Sequence, residues 1–345
     1  MLGGLLSASE SQFKSGLDFM QPFEGAPHSR TWLAWPARAD IWGSALEAVR
    51  RNTAMLAKQI RLFEPVSIIA RPDQASGVAA LLGADFTIVP MLIEDIWIRD
   101  SGPVFVKNRQ HGVAGVDFNF NAWGRKQTHA NDHALSRRLL EHLQLRRLTT
   151  TVITEGGAIE ADGDGTVLTT TSALLNPNRN PGCSKAQIEM RLRQALGAQK
   201  VLWLPGGNDY FTDGHVDGYA RFVAPGTVVC EVTEDRSEPD YALARENYEV
   251  LKHMTDARNR RLQVLKLERP RKTRLHSPFF AANYVNFYLV NGGVLMPQFG
   301  DIERDIAAHD LIHHLFPNRR VVQLNIDHIA SGGGGIHCVT LEQPA

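Results

Sequence analysis

Cysteine is scarce. The three in 345 residues (Cys183, Cys230 and Cys338) are too few and too scattered for a disulfide framework. An odd count reads as reduced thiols in an intracellular chain, and leaves one free to act as a nucleophile. Charge of a single sign is missing as well: 37 Lys+Arg balance 37 Asp+Glu, so the formal net charge is zero. That argues against nucleic acid or an anionic membrane as partner, because both recruit basic surface. No apolar run approaches the roughly 18 residues of a membrane span. The opening MLGGLLSASES has no basic segment ahead of its short apolar stretch, which makes it a poor export signal. The expectation is a cytoplasmic protein, with a neutral surface that allows self-association as a homodimer.

What is present is ordinary for a globular chain: 43% hydrophobic and 21% charged residues. The length suggests two domains or one large one, and buries roughly three quarters of the unfolded surface without staples. Residues 1–20 read as a flexible leader and 21–345 as one catalytic domain, since no linker, charge run or low-complexity tract divides them. Ser44–Phe63 is an amphipathic helix, with Leu46, Val49, Leu56, Ile60 and Phe63 at helical spacing and Glu64-Pro65 as its stop. Asn131–Leu143, Ser184–Leu196, Tyr241–Thr255 and Ile302–Leu315 are further helices. Short β-rich runs lie between them, among them Val66–Ala70, Thr149–Thr154, Thr166–Thr171, Val228–Val232 and Val321–Ile326. Polar turn clusters begin near Glu94, Glu155, Thr212, Ala282 and Gly332, 50 to 70 residues apart, each opening into a strand. That rhythm suits a closed ring of repeated strand–helix units; an open α/β sheet accommodates it too.

Three of these clusters carry candidate chemistry. Cys338 follows four glycines in SGGGGIHCVT (331–340). Such backbone can approach a ligand closely, so the thiol is a candidate nucleophile; a buried structural cysteine is the plainer reading. His337 beside it points to the opposite face if the segment is a strand. Thr212-Asp213-Gly214-His215-Val216-Asp217 puts His215 and Asp217 on one face of a strand, as a general acid/base pair, as metal ligands, or as polar turn residues. In Glu94–Pro103, Trp97 and Asp100 can bracket a cation, or Asp100 can pair with Arg99 beside a packed Trp. Glu155 adds an acid before Gly156-Gly157, or serves as a turn residue. Gathered in one pocket, so many carboxylates require a cation. A guanidinium, planar with five donors, fits. A thiolate can attack its carbon while a histidine protonates the departing ammonia and then activates water.

The chain resembles the agmatine deiminase / bacterial-type peptidylarginine deiminase family of guanidine-modifying enzymes. The matching segments are PHSRTWLAWP (27–36), WIRDSGP (97–103), EGGAIEADGDGT (155–166), NPNRNPG (176–182), TDGHVDGYARF (212–222), YVNFYLVNGG (284–293), PQFGD (297–301) and GGGGIHCVT (332–340). The resemblance implies a five-bladed pseudo-symmetric α/β propeller with the site on its axis. It implies Cys338 as nucleophile, His215 as acid/base and Asp100 and Asp217 as the guanidinium-holding carboxylates. Trp97, Glu155 and Asn286 match further pocket positions. It implies no metal and no cofactor, and a small guanidino substrate or an arginine side chain of a peptide as partner. The expected reaction is agmatine to N-carbamoylputrescine through a thiouronium intermediate; the alternative is arginine, free or in a peptide, to citrulline.

Departures from the agmatine-type pattern bear on the substrate's tail. Phe211, after Tyr210, stands where those sequences carry an acid; Gly335 stands for an Asn, and Gly218 follows His-Val-Asp. Asp209, or cation–π contact with Tyr210 or Phe211, offers a substitute for the acid. Two other classes of function remain in view: a metal hydrolase using His215, Asp213, Asp217 and Glu155, and a non-catalytic ring that binds a cation.

Overall fold

The computed structural model describes residues 19–108, 112–207 and 209–345. Its strands form five separate sheets built on one plan. An antiparallel pair comes first, and an outer helix then carries the chain to a third strand parallel to the second. The first blade pairs Val104–Asn108 with Val113–Asp117, then Arg146–Thr149. The second joins Glu160–Ala161, Thr166–Thr170 and Lys200–Leu204. The third joins Ala220–Ala224, Thr227–Val232 and Gln263–Glu268, and the fourth Tyr288–Val290, Gly293–Gln298 and Arg320–Asn325.

The fifth blade closes the ring. Leu341–Pro344 runs antiparallel to His28–Ala34, with Leu341 opposite Trp32, and Val66–Ala70 and Thr87–Pro90 follow in parallel. Strands near the two ends of the described chain thus share a sheet, and the described residues form one domain.

Sequence dictates this plan locally. The helix Leu46–Arg61 buries Val49, Leu56 and Ile60 on one stripe, and packs them with the fully buried strand Val66–Ala70. Lys185–Leu196 starts on a reciprocal cap between Ser184 and Gln187 and ends at Gly197 in the left-handed conformation. Tyr241–Lys252 and Ile302–Leu315 hold the same place in the third and fourth blades. Among the described residues, no helix is long and apolar enough to cross a membrane.

Several expectations shift. The expected leader, residues 1–20, lies outside the described residues except for Phe19 and Met20, which pair as a strand on Val104–Asn108 with Phe19 buried. The strand expected at Thr149–Thr154 lies at Arg146–Thr149, three of whose four residues are exposed. Gln263–Glu268 gave no strand signal and is another blade's outer strand. Both strands lie at the outer edge of their sheets and are little or only partly buried, so charged and polar residues interrupt their apolar pattern. The helix expected over Asn131–Leu143 breaks at Ala134 into Ala130–His133 and Leu135–His142.

Candidate active site

The five turn clusters each lead into the first strand of a blade, at Val104, Glu160, Ala220, Tyr288 and Leu341. The plan therefore delivers one polar turn per blade to the ring's centre. Three short turns, Ile98–Ser101, Gly156–Ala158 and Val216–Gly218, pack in sequence, and His337–Val339 packs on the first. His215 and Asp217 belong to the third of these, a 3-10 turn, rather than to the expected strand. A one-turn helix still brings both side chains inward.

Gly157 marks the point of convergence. A methyl group there would lie 2.7 Å from His215 Nδ1, 2.9 Å from Asp100 Oδ1 and 3.1 Å from Asp217 Oδ2. Asp100 is fixed by the Gly157 N–H on Oδ1 (3.0 Å) and the Trp123 indole N–H on Oδ2 (2.9 Å). His215 sits between Asp100, 3.7 Å from Nδ1, and Glu155, 3.1 Å from Nε2. Glu155 is fully buried, and Arg179 Nε donates to both of its oxygens, at 2.8 and 3.0 Å. The Cys338 sulfur lies 3.5 Å from Asn286 Oδ1 and 3.7 Å from Asp217 Oδ2. Asn286 also accepts the His337 N–H. Gly335 makes room for it, since a Cβ there would stand 2.4 Å from Asn286 Oδ1.

Two cavities meet at Cys338. One, of about 580 Å³, is lined by His215, Asp217, Asn286, Gly335 and Tyr210. The other, of about 350 Å³, is lined by Asp100, Trp97, Trp123, Trp42 and Asp95. Phe211 and Phe279 belong to both walls, their rings 5.0 Å apart, with the exposed Tyr210 ring against each.

A family model for Porphyromonas-type peptidyl-arginine deiminase matches residues 20–344. The chain belongs to this family. It is 39% identical over 354 residues to the agmatine deiminase of Stutzerimonas stutzeri, covering 95% of this chain and 96% of that one. The agmatine deiminase of Medicago truncatula is 36% identical over 361 residues, with the same coverage. The solved agmatine deiminase of Enterococcus faecalis superposes with a TM-score of 0.92 at 35% identity, over 99% of this chain and 98% of that one. The five-bladed α/β propeller expected from the resemblance is the fold of this deiminase chain.

The electrostatics of the deiminase pocket follow from burial and unlike charges. Burial works against the His215 cation, but Asp100, Glu155 and Asp217 overcome it and raise the imidazole to about 9. Burial pushes Asp100 up. It pushes Asp217 up as well, but the hydrogen bond and charge of His337 win and leave that carboxyl below its usual value. Burial, then the charges of Asp217 and Asp100, drive the Cys338 thiol well above its ordinary value. These shifts set a neutral thiol beside a protonated imidazole at neutral pH.

Several residues at the site have roles that the sequence did not assign. Arg179 grips Glu155 and, through Nη1 at 2.5 Å, Asp213. Asp213 also pairs with Lys126, so it turns away from His215 and Asp217. Among the described residues, no group of His, Cys, Asp and Glu is arranged to hold a metal ion. Asp95 accepts the indole N–H groups of Trp42 (3.0 Å) and Trp97 (2.9 Å), fixing both rings. Asp209, a candidate for a substrate amine, instead accepts the N–H groups of Phe211, Thr212 and Gly214 and holds their turn.

Proposed function

We propose that this chain is a cysteine-dependent guanidine deiminase that hydrolyses agmatine to N-carbamoylputrescine and ammonia. The observation that carries the reading is the cluster of carboxylates around the thiol. Asp100 and Asp217 are buried beside it; among the described residues each meets a histidine, His215 or His337, and neither is paired with a lysine or arginine. A guanidinium between them adds a cation with N–H donors for each carboxylate. Its carbon then faces the Cys338 sulfur, and its charge stabilises the thiolate that burial and the two carboxylates disfavour.

In this mechanism the Cys338 thiol releases its proton to solvent as the guanidinium binds, and the thiolate attacks the guanidinium carbon to form a C–S bond. His215, protonated at neutral pH, gives its proton to the departing nitrogen as the C–N bond breaks and ammonia leaves. The neutral imidazole next takes a proton from water, whose oxygen adds to the thiouronium carbon. The C–S bond breaks as the added hydroxyl becomes the C=O and its proton passes to the sulfur, leaving the ureido product and the free thiol. Glu155 holds the His215 ring and favours its cation, and Asn286 orients the Cys338 backbone and sulfur. Held geometry of this kind turns attack into a unimolecular step.

The agmatine deiminases to which the chain is similar support the choice of tail. Trp97 and Phe211 offer apolar faces to its methylenes and π faces to its ammonium. The aromatic trio Tyr210, Phe211 and Phe279 at a wide mouth favours a second reading, arginine in a peptide. Ureido product measured on agmatine, free arginine, a C-terminal arginine peptide and an internal arginine peptide separates the two. Turnover of agmatine at least tenfold above each arginine substrate supports the proposal. Preference for a peptide replaces agmatine with arginine in protein.

A further inference from the structure

His337 is the second buried histidine of the site, and the mechanism leaves it unused. Both ring nitrogens face carboxylates: Nδ1 lies 2.7 Å from Asp217 Oδ2, and Nε2 lies 2.8 Å from Glu24 Oε2. A neutral imidazole has one N–H, and would set its lone pair against one of those oxygens. With both carboxyls held as anions by their neighbours, two contacts this short have both ring nitrogens facing acceptors. Its backbone is pinned as well. The N–H donates to Asn286 Oδ1 at 3.0 Å, and the carbonyl accepts from Arg99 Nε at 3.3 Å.

Behind the ring stands Glu24. Its Oε1 accepts the Leu289 N–H at 2.8 Å and lies 2.9 Å from Arg221 Nη2, while Oε2 lies 3.4 Å from Arg99 Nη2. Burial alone would favour the neutral acid, but Arg221, His337 and Arg99 hold the carboxyl well below its usual range. Glu24 is therefore a fixed anion that orients His337 from the rear.

We propose that His337 is a positioning residue that locks Asp217, with Glu24 as its anchor. By occupying Oδ2, the ring fixes the carboxylate's rotation and keeps that oxygen 3.7 Å from the Cys338 sulfur. Oδ1, which has no hydrogen-bond partner among the described residues, is then the oxygen presented to the substrate. The inference rests on the reading of Asp217 as a guanidinium-holding group.

Two isosteres test it. His337→Asn keeps an N–H at the place of Nδ1 and serves Asp217. His337→Gln reaches the place of Nε2, serves Glu24 and leaves Asp217 unheld. For agmatine, kcat/KM of the Asn variant stays within about 10-fold of wild type. The Gln variant falls about 100-fold or more, mostly through KM, in line with lost second-layer support. Each variant deletes one buried bond, so a purely structural role lowers both alike. A gap of tenfold or more in favour of Asn supports the proposal; a smaller or reversed gap overturns it.

Should neither variant fold, Glu24→Gln decides. It keeps the shape and an acceptor oxygen but removes the charge. A fivefold or larger fall in kcat/KM supports the proposal, and a smaller one overturns it. Iodoacetamide labelling of Cys338, and its protection by guanidinium ion, reads the same order without turnover. If wild type converts no guanidine compound, the deiminase reading fails while the labelling still decides the role of His337.

Discussion

The Cys338 thiol is opposed by the carboxylates proposed to grip its substrate. Asp217 and Asp100 both raise its proton affinity, on top of burial, and the cation that reverses this arrives with the substrate. Such an arrangement protects an idle nucleophile from stray electrophiles. The prediction at this scale concerns the free enzyme. Iodoacetamide labelling of the peptide containing Cys338 is slow at pH 7 and rises about tenfold per pH unit up to pH 9, as the thiolate fraction does below its pKa. A rate already at its plateau by pH 7 would contradict a neutral thiol. Cys338 and His215 stood out in the sequence because glycine-rich or polar turns surround them. His337, Glu24 and Arg179 did not: each acts on a residue far along the chain, as Glu24 does on His337, and no local pattern records such a pairing.

At the scale of elements, the turns that enter each blade matter more than the strands. Cores and helices follow familiar patterns, which is why Val66–Ala70 and Ile302–Leu315 lie where apolar spacing predicts them. The outer strands Arg146–Thr149 and Gln263–Glu268 do not, because charged and polar residues interrupt their short apolar runs. The Gly156–Ala158 turn shows how tightly one turn must approach the next. Gly156 has no room for a Cβ, which would lie 2.2 Å from the Arg99 carbonyl oxygen, and Gly157 faces the three site groups. Gly157→Ala is expected to displace His215 or Asp100 and lower kcat/KM about 100-fold, the cost of misplacing reacting groups by an ångström. Activity within threefold of wild type would show that the convergence at Gly157 is not needed.

Over the whole molecule, five copies of one plan close a ring and collect charge at its centre. The repeat was visible in the spacing of turn clusters, but that spacing also suits an open sheet. What decides for closure is the pairing of Leu341–Pro344 with His28–Ala34, a contact between opposite ends of the sequence. Concentrated charge has a thermodynamic signature. Burial, as the largest cause, raises Asp95 to about 6 and Asp132 and Glu231 to about 7, and nearby carboxylates raise His215 to about 9 against its burial. All four bind protons more tightly folded than unfolded. The stability they add is full below their unfolded values and is lost as pH climbs through the folded ones. Glu24, Glu155 and Asp217 are lowered instead, so their contribution is lost only as pH falls below about 4. Tm is therefore expected to fall steadily between pH 5 and pH 9, as measured by scanning calorimetry. A Tm that is flat or rising over that interval would contradict this account of the centre.

The central claim is that one sulfur, delivered by the last blade, does the chemistry of the ring. Its most direct test is the release of ammonia and ureido product from agmatine by wild type and by Cys338→Ala, with the fold of the variant verified by its Tm. The account predicts one ammonia and one N-carbamoylputrescine per agmatine from wild type, and less than about 10⁻⁴ of that rate from the variant. Turnover that survives in a folded Cys338→Ala protein would contradict it.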